Sequence, residues 1–175
     1  MPINLRMRMR KFHRWGAILI ALPFLLVIVT GILLQLKKES SWIQPPTMKG
    51  KGKTPGVSFD AILEAARSEP EAGVASWDDV ERIDVQPNRG VAKVQSRTRW
   101  EVQVDLETGK VLGVAYRRSD TIESLHDGSY FDDGAKLWVF LPVAAVVLGL
   151  WISGVSLFVL PHAVKWARHR AKMSK

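Results

Sequence analysis

Cysteine is absent from the chain. A domain on the oxidising side of a membrane would therefore fold without disulfides, and thiolate metal centres are excluded. Charge is absent from two long stretches, about 22 residues between Arg14 and Lys37 and about 25 between Lys136 and His162, where a membrane-crossing helix needs about 20. Buried core helices of a soluble protein are usually shorter and come with amphipathic partners, which this sequence does not offer. Acid is absent from both ends. Residues 1–14 carry Arg6, Arg8, Arg10, Lys11 and Arg14, and residues 161–175 carry Lys165, Arg168, Arg170, Lys172 and Lys175, with no Asp or Glu in either segment. The formal net charge of +8 therefore belongs to two tails that flank the apolar runs. Base-reading elements are missing, which argues against nucleic acid as the partner. No Gly-rich phosphate loop is present, so flavin or nucleotide binding has no signature.

What remains is a membrane pattern. Basic tails beside apolar spans follow the positive-inside rule and predict both termini in the cytoplasm. Lys37, Lys38 and the Lys49, Lys51, Lys53 cluster lie on the other side, where long translocated segments escape the rule. The first span reads as an uncleaved anchor, because it is longer than a signal peptide's apolar core and no small-x-small site precedes Lys37. The expected order is a basic cytoplasmic tail (1–14), a first transmembrane helix (15–36), a linker (37–56), a folded outer domain (57–118), a polar connector (119–136), a second transmembrane helix (137–160) and a second basic tail (161–175). Trp15 and Trp166 read as interfacial anchors. Pro23 is expected to kink the first span, and Pro161-His162 to end the second.

The outer domain reads as α+β. Ser58 is a candidate N-cap for a helix with Phe59, Ile62, Leu63 and Ala66 on one face, ending before Pro70. Alternating segments follow at Val80–Val85, Val91–Gln95, Trp100–Asp105 and Lys110–Tyr116, separated by turns at Pro87-Asn88-Arg89-Gly90 and Glu107-Thr108-Gly109. One sheet face, with Val102, Val104 and Val111, is expected to bury against Phe59, Ile62 and Leu63. Trp42 and Ile43 either rest on the membrane surface or pack under the domain. Thr121–His126 reads as a short helix. On the second span Ala145, Gly149 and Ser153 recur at i, i+4 and i+8, a spacing that suits close helix packing.

Three segments carry a resemblance. Phe12-His13-Arg14-Trp15-Gly16 runs into an apolar helix that ends Thr30-Gly31-Ile32-Leu33-Leu34. Leu125-His126-Asp127-Gly128-Ser129-Tyr130-Phe131 precedes the second span. Val102-x-Val104-Asp105-Leu106-x-Thr108-Gly109-x-Val111-Leu112 forms a hairpin. Together they resemble the PepSY-associated transmembrane helix family over nearly the whole chain. The resemblance implies a membrane α+β fold, with two antiparallel transmembrane helices flanking a small PepSY-like domain of one helix on an antiparallel sheet. It also implies a bacterial inner-membrane location with the domain in the periplasm. Larger relatives have about four helices and look like haem-bearing reductases that release iron from siderophores, with haems held by helix histidines.

Two functions follow. In the first, the protein is non-catalytic and binds a partner protein through its outer domain and helices, in an accessory role linked to iron uptake. In the second, it is a haem-binding electron-transfer protein, a homodimeric four-helix relative of those reductases. Its candidate ligands are His13 and His162, at matching depth on the cytoplasmic side, and His126 on the outer side with a partner from another subunit. His169, between Arg168 and Arg170, belongs to the basic tail. Hydrolysis has little support. Asp78, Asp79, Asp84, Asp105 and Asp127 form no His-carboxylate metal motif, and Ser124 and Ser129 match no nucleophile spacing. His126 with Asp127 is one pair in a polar loop.

Overall fold

The structure, a computed structural model, describes residues 3–52 and 54–173, with the backbone alone for 3–6 and 163–173. The readings of Arg6, Lys53, Trp166, His169 and the basic residues after His162 thus lie outside the described side chains. The chain divides into two compact units, one of Ile32–Glu123 and one of Met1–Gly31 with Ser124–Lys175.

The first of these units is a helix on a sheet. Helix α2 (Phe59–Arg67) starts where the Ser58 hydroxyl accepts from the Ala61 N–H at 3.2 Å, and it stops at Ser68, two residues before Pro70. It buries Ile62, Leu63, Ala65 and Ala66. Phe59 departs from the expected core. It stays 61% exposed and meets Trp77 edge to face at 6.4 Å instead. Strands β1 (Val80–Gln86), β2 (Val91–Ser96), β3 (Trp100–Asp105) and β4 (Val111–Tyr116) form an antiparallel meander in the order β1-β2-β3-β4. Gly90 closes the first turn at φ 68°, a conformation that costs glycine nothing. Ala92, Val94, Val102 and Val104 join the core formed with α2.

Period-2 alternation puts Lys93, Gln95, Glu101, Gln103 and Asp105 on the opposite face, yet all five are buried. Residues 46–51, part of the expected linker, lie against Gln103 and Asp105, while Arg82 meets Gln95 and Arg117 meets Glu101. Main-chain atoms of Pro46, Met48 and Lys51 bond Gln103 and Asp105, and Ile43 is 3% exposed while Trp42 stays open. Arg118 lies over the Trp42 ring at 4.9 Å, and the Ser119 N–H donates to the Ile43 carbonyl at 2.8 Å. At the centre of the polar face the fully buried Glu101 carboxylate takes Lys93 at 3.2 Å, Arg117 at 2.5 Å and the Gln103 amide at 2.8 Å. A buried charge of this kind is tolerated because every oxygen has a partner.

The other unit is built on two long helices. Helix α1 (Ile3–Gln35) runs continuously through Pro23 and takes in most of the basic N-terminal segment. Helix α3 (Arg118–Asp127) ends within this unit, and a π-helical turn (Lys136–Phe140) leads into α4 (Leu141–Met173). The apolar span ends at His162, in line with the expectation for Pro161-His162, but the helix itself does not stop there. Pro161 sits inside α4, which continues for three more turns. His13, Gly16, Ile20, Pro23, Val27 and Thr30, at alternating steps of three and four, are among the sheltered positions of α1. A Cβ on Gly16 would stand 3.2 Å from Leu150 and 3.7 Å from Val146, and Gly149 faces Phe12, so the helices run antiparallel. Their other faces are apolar and bare, with Leu19 and Leu22 each 78% exposed and Trp138 82%.

Two predictions follow from the sheet. Glu101→Ala leaves Lys93 buried without its anion and Arg117 with Asp120 alone, and is expected to cost about 3–5 kcal/mol. Denaturant unfolding of the full chain in detergent, read by tryptophan fluorescence, measures this. The second concerns pH. Burial pushes the Asp105 carboxyl up, but N–H donors of Thr108, Lys51 and Glu107 outweigh it and hold the pKa below the ordinary value. A depressed folded pKa gives stability that is complete above about pH 4 and lost as pH falls through the depressed value. The unfolding midpoint should therefore drop below pH 4, and Asp105→Asn should flatten that drop.

Candidate cofactor site

Each of the three described helix histidines has a hydrogen-bond partner at Nδ1, and two of them share one arrangement. His126 stands in the last turn of α3, and its Nδ1 lies 3.0 Å from the Thr30 hydroxyl on α1. The Thr30 oxygen also lies 2.7 Å from the Leu26 carbonyl, one turn back on its own helix. A hydroxyl has one proton, and a carbonyl can only accept. The Thr30 proton therefore goes to Leu26, and Thr30 meets His126 as an acceptor. With the hydroxyl proton directed to its own helix, the Nδ1-protonated tautomer is the one that completes this contact, and that tautomer leaves Nε2 with a free lone pair.

His13 repeats the arrangement near the other end of α1. Its Nδ1 lies 3.1 Å from the Ser153 hydroxyl of α4, and Ser153 donates to the Leu150 carbonyl at 2.9 Å. The neighbouring residue is a glycine in both cases. A Cβ on Gly31 would stand 3.4 Å from Cε1 of His126, and one on Gly154 would stand 3.8 Å from Cε1 of His13. A hydroxyl residue followed by glycine thus stands beside each imidazole: the hydroxyl meets Nδ1, and the glycine lies against the ring edge, where a Cβ would make an ordinary contact. Thr30 and Ser153 are themselves buried.

His162 differs. Its Nδ1–H donates to the Phe158 carbonyl of its own helix at 2.7 Å, and its ring lies exposed against Phe158, 4.9 Å between centroids. It stands nine residues beyond Ser153, about 13 Å further along α4 at 1.5 Å per residue. His13 and His162 are therefore not at matching depth, and the structure does not bring them together. The physical reason is that α4 continues through Pro161 and carries His162 a further two and a half turns past the level of His13. His13 and Thr30, the seat of His126, are separated by 17 residues of α1, about 25 Å. The three histidines thus occupy three separate levels.

The remaining candidates fall into place around these. Gly149 and Ser153 face Phe12 and His13, but Ala145 is exposed. Each step of four residues drifts by about 40° on a helix with 3.6 residues per turn. The packed line therefore moves from Gly149 to Val146, not to Ala145. Asp127 turns away from histidine chemistry. Its carboxylate accepts from Lys136 at 2.7 Å and from the Ser129 hydroxyl and N–H, and the Lys136 ammonium lowers its pKa to about 2. Among the described residues no group of three His, Cys, Asp or Glu side chains could hold a metal ion. Sequence reasoning missed Thr30 and Ser153 as histidine partners. Ser153 fits the i+4 packing spacing and Thr30 the end of the first apolar run, and neither pattern points to a histidine 140 or 96 residues away.

No curated protein and no solved structure matches the chain. The family model described as the PepSY-associated TM region matches residues 10–174. That span takes in both long helices, His13, His126, their Thr30-Gly31 and Ser153-Gly154 seats, and the whole sheet, and the chain therefore belongs to the family of PepSY-associated TM regions.

Proposed function

We propose that this protein is an integral protein of the bacterial inner membrane, and that its helix pair carries haem for one-electron transfer. In this reading α1 and α4 cross the bilayer, both termini are cytoplasmic, and the sheet-bearing unit is periplasmic. The membrane placement is supported by two helices, Met7–Gln35 and Lys136–His162, that are long and apolar enough to span. Barely a tenth of either is buried inside the protein, and a helix apolar all round with nothing covering it suits lipid. Basic residues on both tails support the orientation.

The haem reading rests on one observation, the bonding of Nδ1 in His13 and His126. Each ring gives its N–H to a hydroxyl oxygen, which leaves Nε2 as the atom for a metal. Metal-ligating histidines nearly always donate their other ring N–H in this way. A haem iron held by two imidazoles supplies one-electron redox chemistry. His13 and His126, about 25 Å apart along α1, each offer one ligand and cannot share an iron. A second copy, related by a two-fold axis along the membrane normal, brings each histidine its own counterpart at equal depth. The assembly is then a four-helix bundle with two bis-imidazole sites. A connection to iron uptake comes from the family resemblance alone.

Partner binding by the sheet-bearing unit is the second reading. The open order β1-β2-β3-β4 favours it, because β1 and β4 are edges that an extended strand can join.

The protein expressed with ample haem and purified in mild detergent should show a Soret band. His13→Ala and His126→Ala should each lower the haem content by about half, and His162→Ala should leave it unchanged. A missing band, or one retained in the double variant His13→Ala/His126→Ala, refutes the haem reading. Thr30→Val keeps the shape of Thr30 but removes the Nδ1 acceptor. It should weaken haem retention about 10–100-fold, the range typical of lost outer-shell partners, as measured by haem transfer to apomyoglobin.

A further inference from the structure

The N-terminal half of α1 carries a groove that the histidines do not line. It runs from Arg8 and Lys11 past Phe12 and Trp15 to Leu19, with Val146 of α4 as its far wall, and holds about 430 Å³. Its character changes along its length. The first turn is cationic, and no Asp or Glu occurs among residues 1–38 or 134–175 to neutralise it. The middle is aromatic and the far end aliphatic, and Phe12, Trp15 and Leu19 are all exposed. At about 100° per residue these α1 positions fall on one face of the helix, and Arg10 falls on the opposite one.

In a bilayer this order becomes a depth. Trp15 opens the charge-free run, the place of an interfacial anchor. Lys11 and Arg8 stand about 6 and 10 Å before it along the helix. The headgroup layer on each side of the hydrocarbon is about 5–8 Å thick. Lys11 therefore stands inside that layer and Arg8 at its aqueous edge, where anionic headgroups lie. Leu19 stands about 6 Å beyond Trp15 in the other direction, among acyl chains. Val146 lies beside Gly16, one residue past Trp15.

We propose that this groove is a binding site for one anionic phospholipid, with its headgroup on Arg8 and Lys11 and an acyl chain laid over Trp15 and Leu19 against Val146. Charge complementarity selects the headgroup, because the two cations have no carboxylate in either helix. The apolar remainder of the groove selects a lipid over a free anion, which would use the cationic end alone. A zwitterionic lipid gains the acyl contact and carries no net charge for the two cations. The proposal rests on the membrane placement of α1 and is independent of the haem reading.

The test is native mass spectrometry of the full chain in detergent with added phosphatidylglycerol or phosphatidylcholine. One phosphatidylglycerol should be retained per chain, in preference to phosphatidylcholine. Arg8→Gln and Lys11→Gln, both at exposed positions, should each weaken that retention about fivefold and together about 25-fold, the effect of basic residues near a lipid surface. Arg10→Gln removes the same charge from the opposite face and should leave retention unchanged. Millimolar glycerol phosphate, a headgroup without chains, should not displace the lipid. Equal retention of the two lipids, an equal loss in Arg10→Gln, or displacement by glycerol phosphate overturns the site alone. A chain that stays in solution without detergent refutes the membrane placement, and the site with it.

Discussion

A serine or threonine hydroxyl has one proton, and in this protein both hydroxyls that meet a histidine give it to their own helix. Thr30 donates to Leu26, and Ser153 to Leu150. Each then has only lone pairs for the imidazole opposite, so the ring proton sits on Nδ1 and the free electron pair on Nε2. The glycine that follows each hydroxyl lies against the ring edge. The same pair of residues therefore packs the unit and sets the chemistry of its histidines. Thr30, which meets His126, lies toward one end of α1, and His13, which meets Ser153 of α4, lies toward the other.

The sheet-bearing unit solves a different problem. Its sheet is covered on both faces although only one is apolar. The second face carries a carboxylate, an ammonium and a guanidinium at Glu101, Lys93 and Arg117, all buried and all paired. Such a network contributes little net stability over an apolar packing of the same shape, but removing one member is costly. Residues 46–51 contribute main-chain partners to Gln103 and Asp105 on that face, and Pro46, Met48, Lys49 and Lys51 stay exposed.

Much of this was legible in the sequence, for identifiable reasons. The charge-free runs give the two long helices, and the alternation at Trp100–Asp105 with the turn at Glu107-Thr108-Gly109 gives the meander. The Ser58 cap and Pro70 bracket α2. What stayed hidden were the relations between distant segments. Alternation cannot tell a solvated polar face from a covered one, so Lys93 and Glu101 gave no sign of burial. Phe59 fits the apolar stripe of α2, yet Trp77 offers it an edge-to-face contact outside the core. Pro161 reads as a helix end, but proline is tolerated inside a long helix, and α4 carries His162 away from His13. Ala145 follows the i+4 rule of the sequence and loses its place to Val146 through helical drift. The pairing of Thr30 with His126 spans 96 residues, and no local pattern shows it.

The tautomer of His13 and His126 is the point on which the account turns. A nitrogen-15 spectrum of the haem-free full chain in detergent, with the imidazole nitrogens assigned, reads it directly. The account predicts a protonated Nδ1 and a bare Nε2 on both rings, with Thr30→Val releasing that preference at His126 and Ser153→Ala releasing it at His13. A proton on Nε2 in the unaltered chain would contradict it.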